Sequence, residues 1–338
     1  MKTNNTLTFD SVTSNIEDST DIQFAPIKGK DLRKNLPKHY FVRKPMVFLC
    51  KFILALLLIA LSWYSVWYAI TTRSFLAAAG GMILAGLMYA HLVELQHECV
   101  HSHAFKSSRL NRLFGVFAGL FMFSSFSYYR YDHLRHHAYL GTTSNQEHFD
   151  YRFNNLNSIK GFAIAFFDLH RYHSVFSTLG AVITGRWIKG VHNEKTQLHI
   201  KQEYAFYTIV FLLSIVASAY FHSWFFSLAW WLPSLSIAEG VHFMIEMPEH
   251  YGLNTQTLPD VFSNTRTICT NALVAWFVNG NHTHTAHHFH QGVPMCNVKQ
   301  LNELIKPDLK VVETSYFAFF RDVINGRIKN SDTSCMVR

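Results

Sequence analysis

The sequence predicts an all-α integral membrane protein, with four transmembrane helices in two hairpins and a helical cap on the cytoplasmic side. Three observations carry that class. Of 338 residues, 49% are hydrophobic and only 15% are charged, well under the roughly 25% charge of soluble domains. Several uncharged stretches are each long enough to cross about 30 Å of hydrocarbon. Lysine and arginine fall almost wholly in the three segments that flank those stretches. The same composition excludes a disordered, collagen-like or disulfide-stapled chain.

Residues 1–45 are polar, then basic from Lys28 to Lys44. They read as a flexible cytoplasmic tail and not as a signal peptide, because the first apolar stretch begins too far in. The membrane domain is expected over residues 46–330 and a C-terminal tail over 331–338. Phe52–Ile70 is free of formal charge, Thr71, Thr72 and Arg73 break the run, and Ser74–Val93 is again uncharged. These are the first two spans. Ala77, Gly81 and Ala85, four apart, form a small-residue stripe that lets them pack closely.

Leu113–Tyr129 is apolar but short for a span, so a re-entrant helix is expected there. Residues 150–202 mix charge with apolar patches such as Gly161–Phe167 and Val175–Ile183, the pattern of interfacial amphipathic helices. Tyr204–Ala238 contains no Asp, Glu, Lys or Arg. One helix of that length would measure about 52 Å at 1.5 Å per residue, so two spans with a turn near His222 and Ser223 are required. One further apolar stretch surrounds Ile268–Val278.

Two hairpins place residues 1–51, 94–203 and 247–338 on one side of the membrane. Of the 30 Lys and Arg, every one except Arg73 lies in those segments, so the positive-inside rule makes that side cytoplasmic. The net charge of +8 is thus a topology signal. No basic run with interleaved aromatics marks a soluble segment, and nucleic acid is not expected as a partner. Cys50, Cys99, Cys269, Cys296 and Cys335 form an odd, scattered set without CxxC, as expected of reduced thiols facing the cytosol.

The most unusual count is 21 histidines against 22 Asp and Glu together. Three clusters stand beside the spans on the cytoplasmic side: His97-Glu-Cys-Val-His101, His133-Leu-Arg-His136-His137 and His284-Thr-Ala-His287-His288. Spacings of three and four put side chains on one helix face. Eight such imidazoles are too many for one tetrahedral zinc. They suit two metal ions side by side, and imidazole accommodates iron well. The fold class is therefore completed by a cytoplasmic helical cap holding a histidine-rich site for two metal ions.

Here the chain resembles the membrane fatty acid desaturase family, enzymes with histidine boxes and two irons. HECVHSHAFKSSRLNRLFG (97–115) looks like that family's first box and following helix, and HLRHHAYLGTTSNQEHFD (133–150) is similar to its second. NTRTICTNALVAWFVNGNHTHTAHHFHQGVP (264–294) resembles the approach to the third. The resemblance covers roughly residues 50–310. EHYGL (249–253) also resembles a motif of the related membrane alkane hydroxylases, whose histidine is an additional iron ligand. Carried over, the implied iron ligands are His97, His101, His133, His136, His137, His250, His284, His287 and His288. Where both groups often have Asn, four residues before His250, this chain has Glu246, a carboxylate that could bind iron or orient a ligand. Glu98 and Asp132 are further candidates for contact with the ligands. His91 and His242 sit within spans and are candidates to line a substrate channel. His170 and His173 form a lone HxxH, and His282 and His290 crowd the third box.

The implied reaction uses O2 and two electrons to remove hydrogen from an unactivated C–H bond of a fatty acyl chain. An acyl chain has no acidic proton there, so the metal must carry the chemistry. Loss of a second hydrogen gives a double bond, and return of hydroxyl gives an alcohol. Desaturation is the first expectation; a hydroxylase of an acyl or hydrocarbon chain on the same scaffold is the alternative. The short polar tail lacks cysteine motifs for a redox domain, which implies an external electron donor such as a ferredoxin or a b-type cytochrome. Among rivals, His97-Glu98-x-x-His101 matches a zinc-protease motif, but only Leu258-Pro259-Asp260 is offered as a third-ligand segment, and two HxxHH clusters stay unexplained. A heme carrier needs histidine pairs inside opposing spans, and a histidine-rich metal transporter is the remaining possibility.

Overall fold

The computed structural model describes residues 30–149 and 151–329. The regular structure of the described chain is nearly all helix, its sheet a pair of two-residue parallel strands, β1 (Thr267–Ile268) and β2 (Val312–Glu313). Most of the expected 1–45 tail and all of the 331–338 tail lie outside the described residues. From α1 (Lys30–Lys34) onward, however, the N-terminal segment is seated. Leu36 is buried among Phe289, Val293 and Leu301, with Leu32, Tyr40 and Phe41 against the same cluster. The apolar residues spaced through this basic stretch explain why it does not stay free.

Helices α2 (Pro45–Thr72) and α3 (Phe75–Val100) form the first hairpin. Proline opens α2, where its missing N–H costs nothing. Arg73 closes it in the left-handed region, and the Ser74 hydroxyl caps α3. The small-residue stripe faces the partner: a Cβ on Gly81 would stand 2.8 Å from the Ser62 carbonyl. Leu57, Leu61 and Trp67 point outward, as a face solvated by lipid requires.

Among the described residues, three helices are long and apolar enough to cross a membrane: residues 38–72 (α2 with the turn before it), α3 and α8 (Glu194–Tyr220). The short apolar segment behaves as expected of a broken or re-entrant span. Helix α4 (Ser108–Gly119) and its extension to Met122 meet α5 (Phe126–Tyr139) at 99°. Phe123 takes a left-handed conformation at the bend. The Gln96 Nε2 amide donates to Gly115 O (3.0 Å) and Ser124 O (2.7 Å), and Tyr207 OH donates to Val116 O (2.8 Å) and Ser124 O (3.1 Å). Two short helices follow, α6 (Ile159–Phe166) and α7 (Arg171–Thr184), with Ile159, Ile164, Phe176 and Ile183 exposed in the amphipathic pattern expected.

The long uncharged stretch breaks where required: α8 ends at Tyr220 and His222 turns the chain at φ 46°. Residues 225–250 are then helical throughout, with π turns at Ser227–Trp231 and Ser234–Ala238 before α9 (Glu239–His250). Pro233 has no N–H to offer the carbonyl four residues back. That carbonyl, Ala229 O, instead accepts from Tyr89 OH (2.8 Å), which in turn accepts from Trp63 Nε1 (2.7 Å). One buried phenol thus ties this helical run to the first hairpin. The remaining elements are α10 (Val261–Asn264), α11 (Ala272–Phe277), α12 (His284–Phe289), α13 (Met295–Ile305) and α14 (Tyr316–Ile324).

Candidate metal centre

The three histidine clusters lie on the last turn of α3, along α5 and along α12, with His250 ending α9. The fold gathers their imidazoles into two groups. His97, His101, His133, His137 and His287 form one, and His136, His250, His284 and His288 the other; within each group the ligand atoms lie within 4.8 Å of one another. Each HxxHH cluster divides its side chains by helical phase. The i and i+4 pair goes to one group (His133 and His137, or His284 and His288), while the i+3 residue (His136, or His287) crosses to the other. No single face of a helix would give that sharing.

The contacts between nitrogens fit a metal. In the first group, Nε2 of His133 is 2.8 Å from that of His97 and 3.0 Å from that of His137, which is 2.9 Å from that of His287. In the second, His136 is 3.2 Å from His250 and 3.3 Å from His288, and His250 is 3.1 Å from His284. At a metal–imidazole bond of about 2.1 Å, as for zinc, two nitrogens at right angles stand about 3.0 Å apart and two at the tetrahedral angle about 3.4 Å. The first group matches a crowded shell and the second a more open one. Neutral imidazoles could not all pair with each other, because each has one donor and one acceptor nitrogen. His101 Nε2 is buried without a hydrogen-bond partner, as an atom reserved for an ion would be. Burial, reinforced by neighbouring imidazoles, holds His284, His287 and His288 well below the ordinary histidine range. They are neutral at pH 7, the form that binds metal.

Outer contacts fix the orientation of the second group. Nδ1–H of His250 donates to Asn264 O (2.8 Å) and that of His284 to Asn281 Oδ1 (3.1 Å). His136 Nδ1 is 2.9 Å from both Asn145 Oδ1 and Glu147 Oε1. Since these partners accept, the proton sits on Nδ1 and the Nε2 lone pair faces inward. The Glu249 carboxylate lies 3.3 Å from His284 Nε2 and accepts from Asn281 Nδ2. None of these partners was legible in the sequence, and Glu249 had only its position beside His250 to signal it.

The three candidate carboxylates are placed elsewhere. Glu98 accepts from Asn279 Nδ2 (2.8 Å), and Asn279 Oδ1 accepts from Lys51 (2.7 Å). It therefore joins the first box to the loop before the third and touches no ligand imidazole through a hydrogen bond. Asp132 pairs with His148 (2.9 Å), whose ring stacks on Tyr129, and Tyr129 stacks on His97. Glu246 belongs to neither imidazole group and stands 3.6 Å from His242 Nε2, as does the buried Glu94. His242 is wholly buried, with Nδ1 2.9 Å from Tyr151 OH. His91 is a satisfied core histidine on one side, with Nδ1 donating to Phe277 O (2.6 Å) and its ring on Trp276.

The lone HxxH of His170 and His173 and the crowding His282 and His290 all stand outside both groups. Burial lowers His282 to about 4. His103, which the sequence did not single out, is buried with Nε2 2.9 Å from Gln291 O and its ring 5.1 Å from that of His101. Asp260, the residue a zinc-protease reading would need, caps α10 through Phe262 N (3.1 Å) and pairs with Lys310. That reading has no support in the geometry.

Among the described residues, apolar helices long enough to cross a membrane thus occur together with nine imidazoles in two groups that could hold metal ions, the combination of a histidine-box protein. The family profile for fatty acid desaturases matches residues 73–320. Well over half the chain is covered, and it belongs to the fatty acid desaturase family. Membership implies an oxidoreductase and a fatty acyl substrate. No curated protein matches the chain.

Proposed function

We propose that the protein is an oxygen-dependent membrane desaturase that introduces a double bond into a fatty acyl chain, with two iron ions as its cofactor. The convergence of nine imidazoles into adjoining groups of five and four is the observation that carries this reading. His97, His101, His133, His137 and His287 would hold one iron, and His136, His250, His284 and His288 the other. When bound, the irons supply the oxygen-derived oxidising power that an unactivated C–H bond demands. Overall, two hydrogens leave adjacent carbons, an external donor provides two electrons, two protons are taken up, and O2 leaves as two waters.

The chain's own part is to hold, orient and dry. Carbonyl and amide acceptors on Nδ1 of His136, His250 and His284 keep their Nε2 atoms aimed inward. Burial of the imidazoles keeps bulk water from the reacting carbons. Four spans in two hairpins, with both termini and the metal site cytoplasmic, would put the cage at the membrane edge, where a lipid-borne chain can reach it and a ferredoxin or b-type cytochrome can deliver electrons.

Hydroxylation of an acyl or hydrocarbon chain is the second reading. It is favoured by the EHYGL segment, whose Glu249 carboxylate stands beside His284. Metal analysis tests what both readings share. Protein purified in detergent and loaded anaerobically should hold about two irons per chain; a single zinc and no iron would overturn them.

A further inference from the structure

We propose that Glu203, on α8, is the positioning residue that sets the second histidine box for metal binding. Its carboxylate is 2% exposed and far in sequence from every box, yet it accepts four hydrogen bonds. Oε2 takes Ser125 Oγ (2.7 Å) and Ser127 N (2.9 Å), and Oε1 takes Ser127 Oγ (2.7 Å) and Arg112 Nε (3.0 Å). Ser125 is the N-cap of α5, and its own hydroxyl accepts from Tyr128 N (3.2 Å). The carboxylate therefore completes the cap of the helix that carries His133, His136 and His137. A negative charge is favoured at this end by the free N–H groups and the helix dipole. Through Arg112 on α4, the same carboxylate also joins the two arms of the 99° bend to each other and to α8.

Geometry makes that anchor matter. At 1.5 Å per residue, His133 lies about 9 Å and His137 about 15 Å along the helix from Ser127. A tilt of about 5° at the cap would displace His137 by about 1 Å, whereas metal ligands tolerate about 0.2 Å. Both imidazole groups draw on this helix, His133 and His137 for one and His136 for the other, so both ions should feel the change.

The inference rests on the proposed metal-binding role of the boxes, and the experiment separates the two. Wild type, Glu203→Gln, Ser127→Ala and a control, Gln197→Ala, are purified in detergent, and ferrous iron affinity, metal content and thermal midpoint are measured. Gln197 lies on the same helix but holds the 188–191 loop, away from the boxes. Glu203→Gln should weaken iron binding by about tenfold or more, in the range of outer-contact losses at metal sites. Ser127→Ala should weaken it less, and Gln197→Ala should leave it unchanged even where its midpoint falls as far. Wild-type affinity in Glu203→Gln would overturn the proposal, as would equal iron loss in Gln197→Ala at equal midpoint. Failure of Glu203→Gln to fold leaves Ser127→Ala to decide on the same criterion. A wild type that binds no iron would instead overturn the metal reading itself.

Discussion

Replacing His136 with alanine probes how the two groups share their ligands. His136 sits in the second box between His133 and His137, yet its Nε2 faces His250 and His288 (3.2 and 3.3 Å) while its neighbours serve the other group. The substitution removes one of four imidazoles from one centre and none of five from the other. Four-ligand zinc sites bind with about 10–16 kcal/mol, or about 2.5–4 kcal/mol per ligand. One centre should therefore weaken by a few hundredfold, at about 1.4 kcal/mol per factor of ten. Anaerobic iron titration of the purified variant should show one ion retained at near wild-type affinity and the second lost at micromolar iron. Helical circular dichroism and membrane insertion should be unchanged, and turnover abolished. His287→Ala should do the converse, weakening the five-imidazole centre although it stands in the third box. Loss of both ions together in His136→Ala, or retained turnover, would refute the assignment of ligands to centres.

Asn281→Ala should lower iron affinity about 10–100-fold, because His284 Nδ1 and the Glu249 carboxylate lose their common partner; equilibrium dialysis against a chelator would measure it. Acidification should release metal and destabilise the protein together. His284, His287 and His288 have folded values depressed below about 6.5, so the unfolded chain binds more protons as pH falls through that point. Their stabilising contribution is complete above about pH 6.5 and is lost progressively below it, and protons also compete with the ions. Metal content and thermal midpoint that stay flat from pH 7.5 to 5 would contradict this. Tyr89→Phe should cost about 1–3 kcal/mol, since it removes the donor to Ala229 O and the acceptor for Trp63; the thermal midpoint should fall while iron content stays at wild type.

Much of the site was legible because helical spacing is a strong constraint. Residues three and four apart must share a side of a helix, so each cluster had to aim its imidazoles together. Spacing said nothing of how the boxes divide their ligands, which depends on how α5 and α12 are rotated against each other. His250 came from resemblance, having no histidine at helical spacing in its own stretch except the distant His242. Glu98 and Asp132 were expected near the metal because each adjoins a ligand in sequence. On a helix, adjacent residues diverge by about 100°, and both carboxylates turned to Asn279 and His148 instead. Glu203, Asn264, Asn279 and Asn281 escaped notice because their importance lies in contacts that only the tertiary fold creates. The break at His222 was legible from length, since one helix over Tyr204–Ala238 is too long for a bilayer, and Leu113–Tyr129 read as re-entrant because it is short for a span, though length did not say where it bends. The seating of residues 32–41 on α12 and α13 was not, because its apolar residues are few and spread through basic sequence.

The central claim is that this chain puts a double bond into a fatty acyl chain. Its most direct test is mass spectrometry of lipids from a host expressing the protein and fed a fully deuterated saturated fatty acid, with the His136→Ala variant as control. Labelled acyl chains that have lost two deuteriums and gained an alkene are expected, absent from the control. Labelled chains carrying an added hydroxyl and no alkene, or chains identical in the two hosts, would contradict it.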